Sequence, residues 1–164
     1  MIGDRWGATH DELARRYPCD DLVAEPALAA WRAVTIDASP ERVWRWLIQV
    51  RLAPYSYDWI DNFGRRSPRE LKNLDDPEPG DPFTASAGRP LGRVLTVEHG
   101  VQLTARIMNA TLTYRLVPAA DNTTRLILKI VAPGPTFAAT LLCLGDLVMA
   151  RRQLLNFKKL AERT

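Results

Sequence analysis

The stretch from residue 136 to residue 162 constrains the fold most, because it predicts one long terminal helix. Pro133 and Pro135 stand just before it and stop a strand from continuing, and the Thr136 hydroxyl can accept from the first free backbone N–H groups. The first half is apolar on nearly every side, whereas the second half carries cations that suit the negative end of a helix. We therefore expect a helix that is buried first and solvated last.

Apolar side chains recur at helical spacing along this stretch. They are Phe137, Leu141, Leu144, Val148 and Leu155. At ~100° per residue these positions fall on one stripe, and such a stripe needs a sheet to cover it. The rest of the chain is expected to supply that sheet.

Length and charge limit the functional classes. A chain of 164 residues with 46% hydrophobic content predicts one domain with a sizeable core. The net charge is only +3, and the arginines are scattered rather than gathered in the basic run that nucleic-acid-binding arms show. We therefore expect no nucleic-acid partner.

The cysteines and the apolar content favour a cytoplasmic protein. Cys19 and Cys143 are far apart and lack metal-ligand spacing, so a reducing compartment fits best. The first residues lack the charged-then-apolar pattern of a signal peptide. Residues 136–150 fall short of ~18 uncharged apolar residues and contain Asp146, so we expect no stable membrane insertion.

The first 30 residues predict an arm that packs on a domain formed by residues 31–164. Thr9 and Glu12 have the spacing of a capping box, which predicts a short helix to about Tyr17. Apolar residues then recur too often for a loose tail. The back of the long helix would otherwise expose apolar side chains, so we expect the arm to cover that surface and to hydrogen-bond Asp146.

Short helices are predicted to follow a first strand at residues 33–36. Ser39 and Pro40 have the chemistry of an N-cap and a first helical position, and they begin a helix to about residue 50. Residues 55–63 predict a second short helix, and residues 67–70 predict one more helical turn. Alternating residues then predict an antiparallel run of strands at 83–85, 93–98, 101–108, 111–117 and 124–131. This order of elements indicates an α+β fold.

Residues 34–47 (VTIDASPERVWRWL) resemble the opening motif of the START-like, or SRPBCC, superfamily, which includes polyketide cyclase/dehydrase and lipid-transfer proteins. The resemblance implies a helix-grip fold for residues 31–162, in which a curved antiparallel sheet holds the C-terminal helix and a cavity lies between them. Residues 6–9 (WGAT), 55–59 (YSYDW) and 80–81 (GD) are similar to an uncharacterised bacterial subset of that superfamily. The short connection RLAP at residues 51–54 departs from the glycine-rich segment common there.

The cavity implied by this resemblance has an expected lining. It comprises Leu95, Leu103, Ile107, Tyr114 and Leu128 from the strands, Leu144 and Val148 from the helix, and Tyr55, Tyr57 and Trp59 from a roof formed by the short helices. Tyr114 is the only polar side chain on the predicted inner strand faces, and a phenol has a reference pKa of about 10. We therefore expect no catalytic residue.

Three functions remain open. The first is binding or carriage of a small hydrophobic molecule, lipid-like or polyketide-like, by an apolar cavity. The second is a polyketide cyclase, dehydratase or isomerase in which a tyrosine hydroxyl stabilises a developing oxyanion. The third is a protein-interaction domain with a filled core. An apolar void on which two or more polar groups converge would favour the enzyme, and a void without them would favour the carrier.

The remaining charged groups carry weaker expectations. His10 and His99 have no Cys, Asp or Glu at ligand spacing, so we expect neither a metal nor a cofactor. An anionic partner would find its most concentrated positive charge on a patch formed by the following arginines: Arg65, Arg66, Arg69, Arg151 and Arg152.

Overall fold

The computed structural model describes residues 3–134 and 136–163, with side chains throughout except at residues 136–144, 146 and 147. The strands are β1 (Arg5–Trp6), β2 (Leu28–Ile36), β3 (Pro82–Ser86), β4 (Arg89–Glu98), β5 (Gln102–Ile107), β6 (Ala110–Pro118) and β7 (Thr124–Ala132). The α-helices are α1 (His10–Ala14), α2 (Pro40–Leu47), α3 (Asp58–Asp61) and α4 (Thr136–Ala161), and 3₁₀ helices span Pro18–Leu22, Ile48–Arg51 and Ala120–Asn122. No helix among the described residues is long and apolar enough to cross a membrane.

The described strands form one curved sheet in the order β1-β2-β7-β6-β5-β4-β3. Every pairing is antiparallel except that of β1 with β2. The five predicted strands after residue 80 are confirmed, and β2 begins at Leu28 rather than at residue 33. One face of this sheet packs on α4, so the predicted α+β architecture is confirmed.

The segment after α1 packs on the opposite, outer face of the sheet. Thr9 caps α1 with the predicted capping box, and the 3₁₀ helix Pro18–Leu22 then lies across β5, β6 and β7. The Cys19 backbone N–H donates to Thr113 Oγ1 at 3.2 Å. The expectation that the arm covers the back of α4 is therefore wrong for this segment. Its apolar residues instead cover the outer face of the sheet, which is also apolar at Ile127 and Val131.

The short helices agree only in part with the sequence pattern. Ser39 caps α2 as predicted, and Pro40 is its first residue. The second helix is reduced to the four residues of α3. The turn predicted at residues 67–70 does not form, because the Ser67 backbone N–H and hydroxyl both donate to the Asp58 carboxylate, at 2.9 and 2.5 Å.

The described half of α4 matches the predicted stripe only at Leu155, which is partly buried against the core. Ala150, Leu154, Phe157 and Leu160 are buried in the core, whereas Val148 is 52% exposed. The expectation that Val148 faces the sheet is therefore wrong. A helical segment that is apolar on all sides does not indicate which side faces the sheet. The cations of the second half do indicate the side of the helix that faces solvent. Three members of the predicted stripe lie outside the described side chains: Phe137, Leu141 and Leu144.

Candidate functional site

A cavity of about 180 Å³ lies between the inner face of the sheet and α4. The apolar side chains that line it come from four strands and the helix: Phe83, Ile107, Leu112, Leu128, Ile130, Met149 and Ala150. They reach it because alternate residues of a strand point to one face of a sheet. The cavity therefore stands where a helix-grip fold is expected to hold a ligand.

One polar pair crosses the cavity from the sheet to the helix. The Tyr114 hydroxyl on β6 donates to Gln153 Oε1 on α4 at 2.5 Å, and Gln153 Nε2 donates to the Pro54 carbonyl oxygen at 2.7 Å. Both side chains line the cavity. This chain of hydrogen bonds fixes the position of the phenol at one wall.

Asp61, the last residue of α3, places a carboxyl group at the same cavity. Its backbone carbonyl oxygen accepts from the Ser86 hydroxyl at 2.6 Å, which ties α3 to β3. Its Oδ1 atom is buried and accepts no hydrogen bond from any described residue. Ser56 also lines the cavity, but its hydroxyl donates to the Met149 carbonyl oxygen at 3.0 Å. The carboxyl group is thus held at a largely apolar wall without a donor to its inner oxygen.

Burial raises the pKa of Asp61 above its ordinary value, and polar groups near the carboxyl group, on Ser56 and on the backbone of Tyr57 and Asp61, offset part of this rise. The direction follows from solvation, because an apolar surrounding disfavours the charged carboxylate more than the neutral acid. A carboxyl group of this kind can both donate and accept a proton at a pH closer to neutrality than an exposed aspartate.

Thr84 on β3 adds a second polar group without a partner. Its side chain is only 5% exposed, and its hydroxyl forms no hydrogen bond with any described residue. A buried hydroxyl without a partner costs free energy, of the order of 1–3 kcal/mol. Thr84 and Asp61 line the same cavity, so two hydrogen-bonding groups and the Tyr114–Gln153 pair surround one apolar void.

Only some of the strand residues predicted for the cavity line it. Ile107, Tyr114 and Leu128 line it, whereas Leu103 is buried elsewhere in the same core. Leu95 is half-buried at a register shift between Val94 and Thr96, and Val94 is the residue that joins the core. The shift inserts one extra residue into β4. Because side chains alternate between the two faces of a strand, one extra residue changes which of the neighbouring side chains face inward.

The roof aromatics line a different concavity, which we call the basic groove. It has a volume of about 480 Å³ and lies between the segment 55–69 and the end of α4. Tyr55, Tyr57 and Trp59 all contribute to it. The Tyr55 ring itself is buried and packs against Phe157 at 5.2 Å between ring centres, and its hydroxyl oxygen accepts from Gln49 Nε2 at 2.8 Å.

Among the lining residues that sequence reasoning missed, three carry the polar groups discussed above: Asp61, Thr84 and Gln153. Asp61 is one of two acidic residues in the segment 55–63, with Asp58, and only the position of α3 against β3 distinguishes it. Thr84 lies on a predicted strand, where a hydroxyl is ordinary. Gln153 could have been found from its position on α4 beside the buried Leu154 and Phe157. The predicted stripe did not include those two buried residues, so it gave the wrong side of the helix.

The remaining candidate groups include His99, Cys143 and Asp146. His99 Nδ1 contacts Asp76 Oδ2, and Asp76 Oδ1 accepts from Trp44 Nε1 at 2.8 Å. No group of three or more His, Cys, Asp or Glu side chains able to hold a metal occurs among the described residues. Cys143 and Asp146, with the hydrogen bond expected from Asp146 to the arm, lie outside the described side chains.

Comparisons with known proteins support the fold. No protein-family model matches the sequence, and a search of curated proteins found no match. Among solved structures, a protein from Mesorhizobium loti is similar at 21% identity over 83% of this chain and 98% of its own, with a TM-score of 0.54. A protein from Corynebacterium glutamicum described as Polyketide_cyc-like is similar at 14% identity over 85% of this chain and 94% of its own, with a TM-score of 0.51. At these identities the likeness concerns the fold alone, and the chain has the helix-grip fold that the resemblance of residues 34–47 implied.

Proposed function

We propose that the cavity between the sheet and α4 binds a compact, mostly apolar molecule that bears one neutral polar group. The observation that carries this proposal is that Asp61 and Thr84 line a mostly apolar cavity, and each has one buried side-chain oxygen without a partner among the described residues. Apolar area supplies the affinity, and the polar groups orient the ligand. A hydroxyl or a carbonyl group suits them, because each can form a hydrogen bond with a carboxyl group or a hydroxyl group.

The volume supports a small ligand. A cavity of about 180 Å³ is similar to the apolar cavities of about 150 Å³ that accept a benzene-sized molecule. A single ring with one or two substituents therefore fits better than a whole lipid. A polyketide-like or lipid-like ligand would place only one ring or one short segment here.

Paired probes test this function. Phenol and toluene have nearly the same shape, so we expect both to bind and phenol to bind about tenfold more tightly through one hydrogen bond. Binding is followed by shifts of backbone amide signals in NMR titrations, which also locate the site. Amide shifts at β3, β6 and the second half of α4 support the cavity, whereas the absence of binding by either probe overturns the proposal in favour of a filled core.

Matched variants test the roles of the polar groups. Asp61→Asn and Thr84→Val each change one cavity group, and we expect the preference for phenol over toluene to fall several-fold in both. Asp121→Asn is the control, because Asp121 is an exposed aspartate in the turn between β6 and β7. A preference that survives both cavity substitutions would show that Asp61 and Thr84 do not orient the ligand.

A second candidate is an enzyme of the dehydratase or isomerase type, and the raised pKa of Asp61 favours it. The Asp61 carboxylate would remove a proton from the carbon beside a ligand carbonyl. The Thr84 hydroxyl would stabilise the enolate oxygen. In an isomerase the ligand would carry a β,γ double bond, and the proton would return to its γ-carbon as the double bond moves into conjugation. In a dehydratase a β-hydroxyl group would instead leave with that proton as water. Cyclohexanone in D₂O tests this step, since proton removal exchanges the neighbouring hydrogens for deuterium. Exchange above the buffer rate that Asp61→Asn abolishes supports the enzyme, and exchange at the buffer rate removes it.

A further inference from the structure

The basic groove brings together four cations on one side of the molecule: Arg69, Arg152, Lys159 and Arg163. Three of them follow helical spacing along α4 and just beyond its end, at positions i, i+7 and i+11. Such spacing places their side chains on one face of the helix. Asn156, on the same face, donates to the Tyr55 carbonyl oxygen at 2.8 Å and thereby fixes the opposite wall.

The negative charge within this groove is already engaged. Asp58 is the only acidic residue among its lining side chains, and both of its carboxylate oxygens accept from Ser67. Arg69, Arg152 and Lys159 form no ion pair with any described carboxylate. The groove therefore has four cations and one carboxylate, and its excess positive charge attracts anions.

Aromatic surface accompanies the charge. The Trp59 side chain is 74% exposed at the edge of the groove, and the Arg152 guanidinium lies 5.5 Å from the centre of the Tyr57 ring. An exposed indole offers a flat face for stacking, and a guanidinium held over a ring has fewer positions to lose when it binds an anion. A purely solvated charged surface has no need of either feature.

We propose that the basic groove binds a phosphorylated small molecule that carries a flat ring and has the size of a nucleotide. The arginines and the lysine bind the phosphate groups, and Trp59 stacks on the ring. A volume of about 480 Å³ lies within the range of small-molecule sites. This ligand differs from the neutral, apolar molecule proposed for the cavity, so either proposal can fail without the other.

The test uses ADP, pyrophosphate and adenosine as probes, with isothermal titration calorimetry at about 20 mM and 150 mM salt. We expect ADP to bind at least tenfold more tightly than either adenosine or pyrophosphate, because only ADP uses both the cations and the indole. Raising the salt is expected to weaken ADP and pyrophosphate but not adenosine. Equal affinity of ADP and pyrophosphate, or the absence of ADP binding, would overturn the proposal.

Three variants and one control locate the site. Arg152→Ala and Lys159→Ala are each expected to weaken ADP about fivefold, and Trp59→Ala is expected to weaken ADP but leave pyrophosphate unchanged. Arg151→Ala is the control, because Arg151 is the next residue on α4 but its guanidinium lies 5.1 Å from the Trp6 ring, outside the groove. A loss with Arg151→Ala equal to that with Arg152→Ala would show that general surface charge binds ADP, and would sink the proposed site.

Discussion

Two buried polar sites, one on the outer face of the sheet and one at the cavity, differ in how well their polar groups are paired. On the outer face, Lys129 is 7% exposed, and its ammonium group forms an ion pair with Asp20 at 2.5 Å and lies 4.7 Å from the centre of the Trp31 ring. On the inner face, Asp61 Oδ1 and Thr84 Oγ1 are buried without a donor or acceptor from any described residue.

This difference indicates that the two sites have different roles, one in stability and one in binding. Burial of a charge is tolerated when an opposite charge and hydrogen bonds replace water, and Lys129 has that replacement. Groups such as Asp61 and Thr84 lower the stability of the folded protein, and they persist in proteins mainly where a ligand or a reaction uses them. Trp31 Nε1 and Arg115 Nε on the outer face are also buried without a partner among the described residues, but only Asp61 and Thr84 line the cavity. The cavity is therefore the place to look for a ligand, and the outer face holds the arm in place.

The largest expected effect is loss of the outer ion pair. Lys129→Met keeps most of the side-chain volume but leaves Asp20 without its cation. We expect destabilisation on the order of 3 kcal/mol, the lower end for a broken buried pair, because the Asp20 side chain is 24% exposed. The free energy of unfolding, measured by urea denaturation, checks this value.

Two further variants interpret that loss. Asp20→Asn combined with Lys129→Met should recover much of the stability, since the charge is gone and an amide oxygen can still accept from the Tyr17 backbone N–H. Lys159→Met, on an exposed lysine of α4, should change the stability by less than about 0.5 kcal/mol. If the double variant is as unstable as Lys129→Met alone, the loss comes from packing, and the comparison between the two faces weakens.

Local patterns in the sequence predicted most of the fold. Thr9 and Ser39 act as caps through hydrogen bonds within three residues, so neighbouring residues alone determine them. The strands after residue 80 likewise follow from alternation, which depends on the two faces of each strand. The resemblance of residues 34–47 supplied the helix-grip arrangement.

The errors arise where distant segments decide the structure. Val148 was assigned to the sheet side of α4 because the apolar half of that helix gives no direction, and the structure exposes it. Leu95 lies at a register shift in β4, and the local sequence of β4 does not predict that shift. Asp61 becomes a cavity residue only through the contact of α3 with β3, so the sequence could not distinguish it from Asp58.

A smaller effect of the opposite sign is expected on the inner face. Burial raises the pKa of Asp61, so its neutral form is favoured in the folded protein, and stability falls as the pH rises through the folded-state pKa. Asp61→Asn removes this cost. The variant should therefore be more stable than the wild type at pH 7 to 8, by an amount on the order of 0.5–2 kcal/mol, the usual size for a stabilising substitution.

The dependence on pH distinguishes this cause from altered packing. Below the ordinary pKa of 3.8 the carboxyl group is neutral in both the folded and the unfolded protein, so the advantage of Asp61→Asn should disappear there. Thermal unfolding midpoints measured from pH 3.5 to pH 8 give the comparison, with Asp121→Asn as control. An advantage that stays constant with pH would mean that the buried charge is not the cause.

The smallest expected effect belongs to Thr84→Val, which exchanges a hydroxyl for a methyl group of similar size. Removing a polar group usually destabilises a folded protein because its hydrogen-bond partner is left unpaired. Thr84 Oγ1 has no partner among the described residues, so the substitution removes only the cost of burying the hydroxyl. We expect a gain of about 0.5–1 kcal/mol in urea denaturation. Thr113→Val on the outer face is the matched control, because its hydroxyl is paired with Thr104 at 2.9 Å and accepts from Cys19, and we expect it to destabilise by about 1 kcal/mol or more. If both substitutions destabilise the protein alike, the Thr84 hydroxyl is hydrogen-bonded as well as that of Thr113. One of the two observations that support a binding site at the cavity would then be lost.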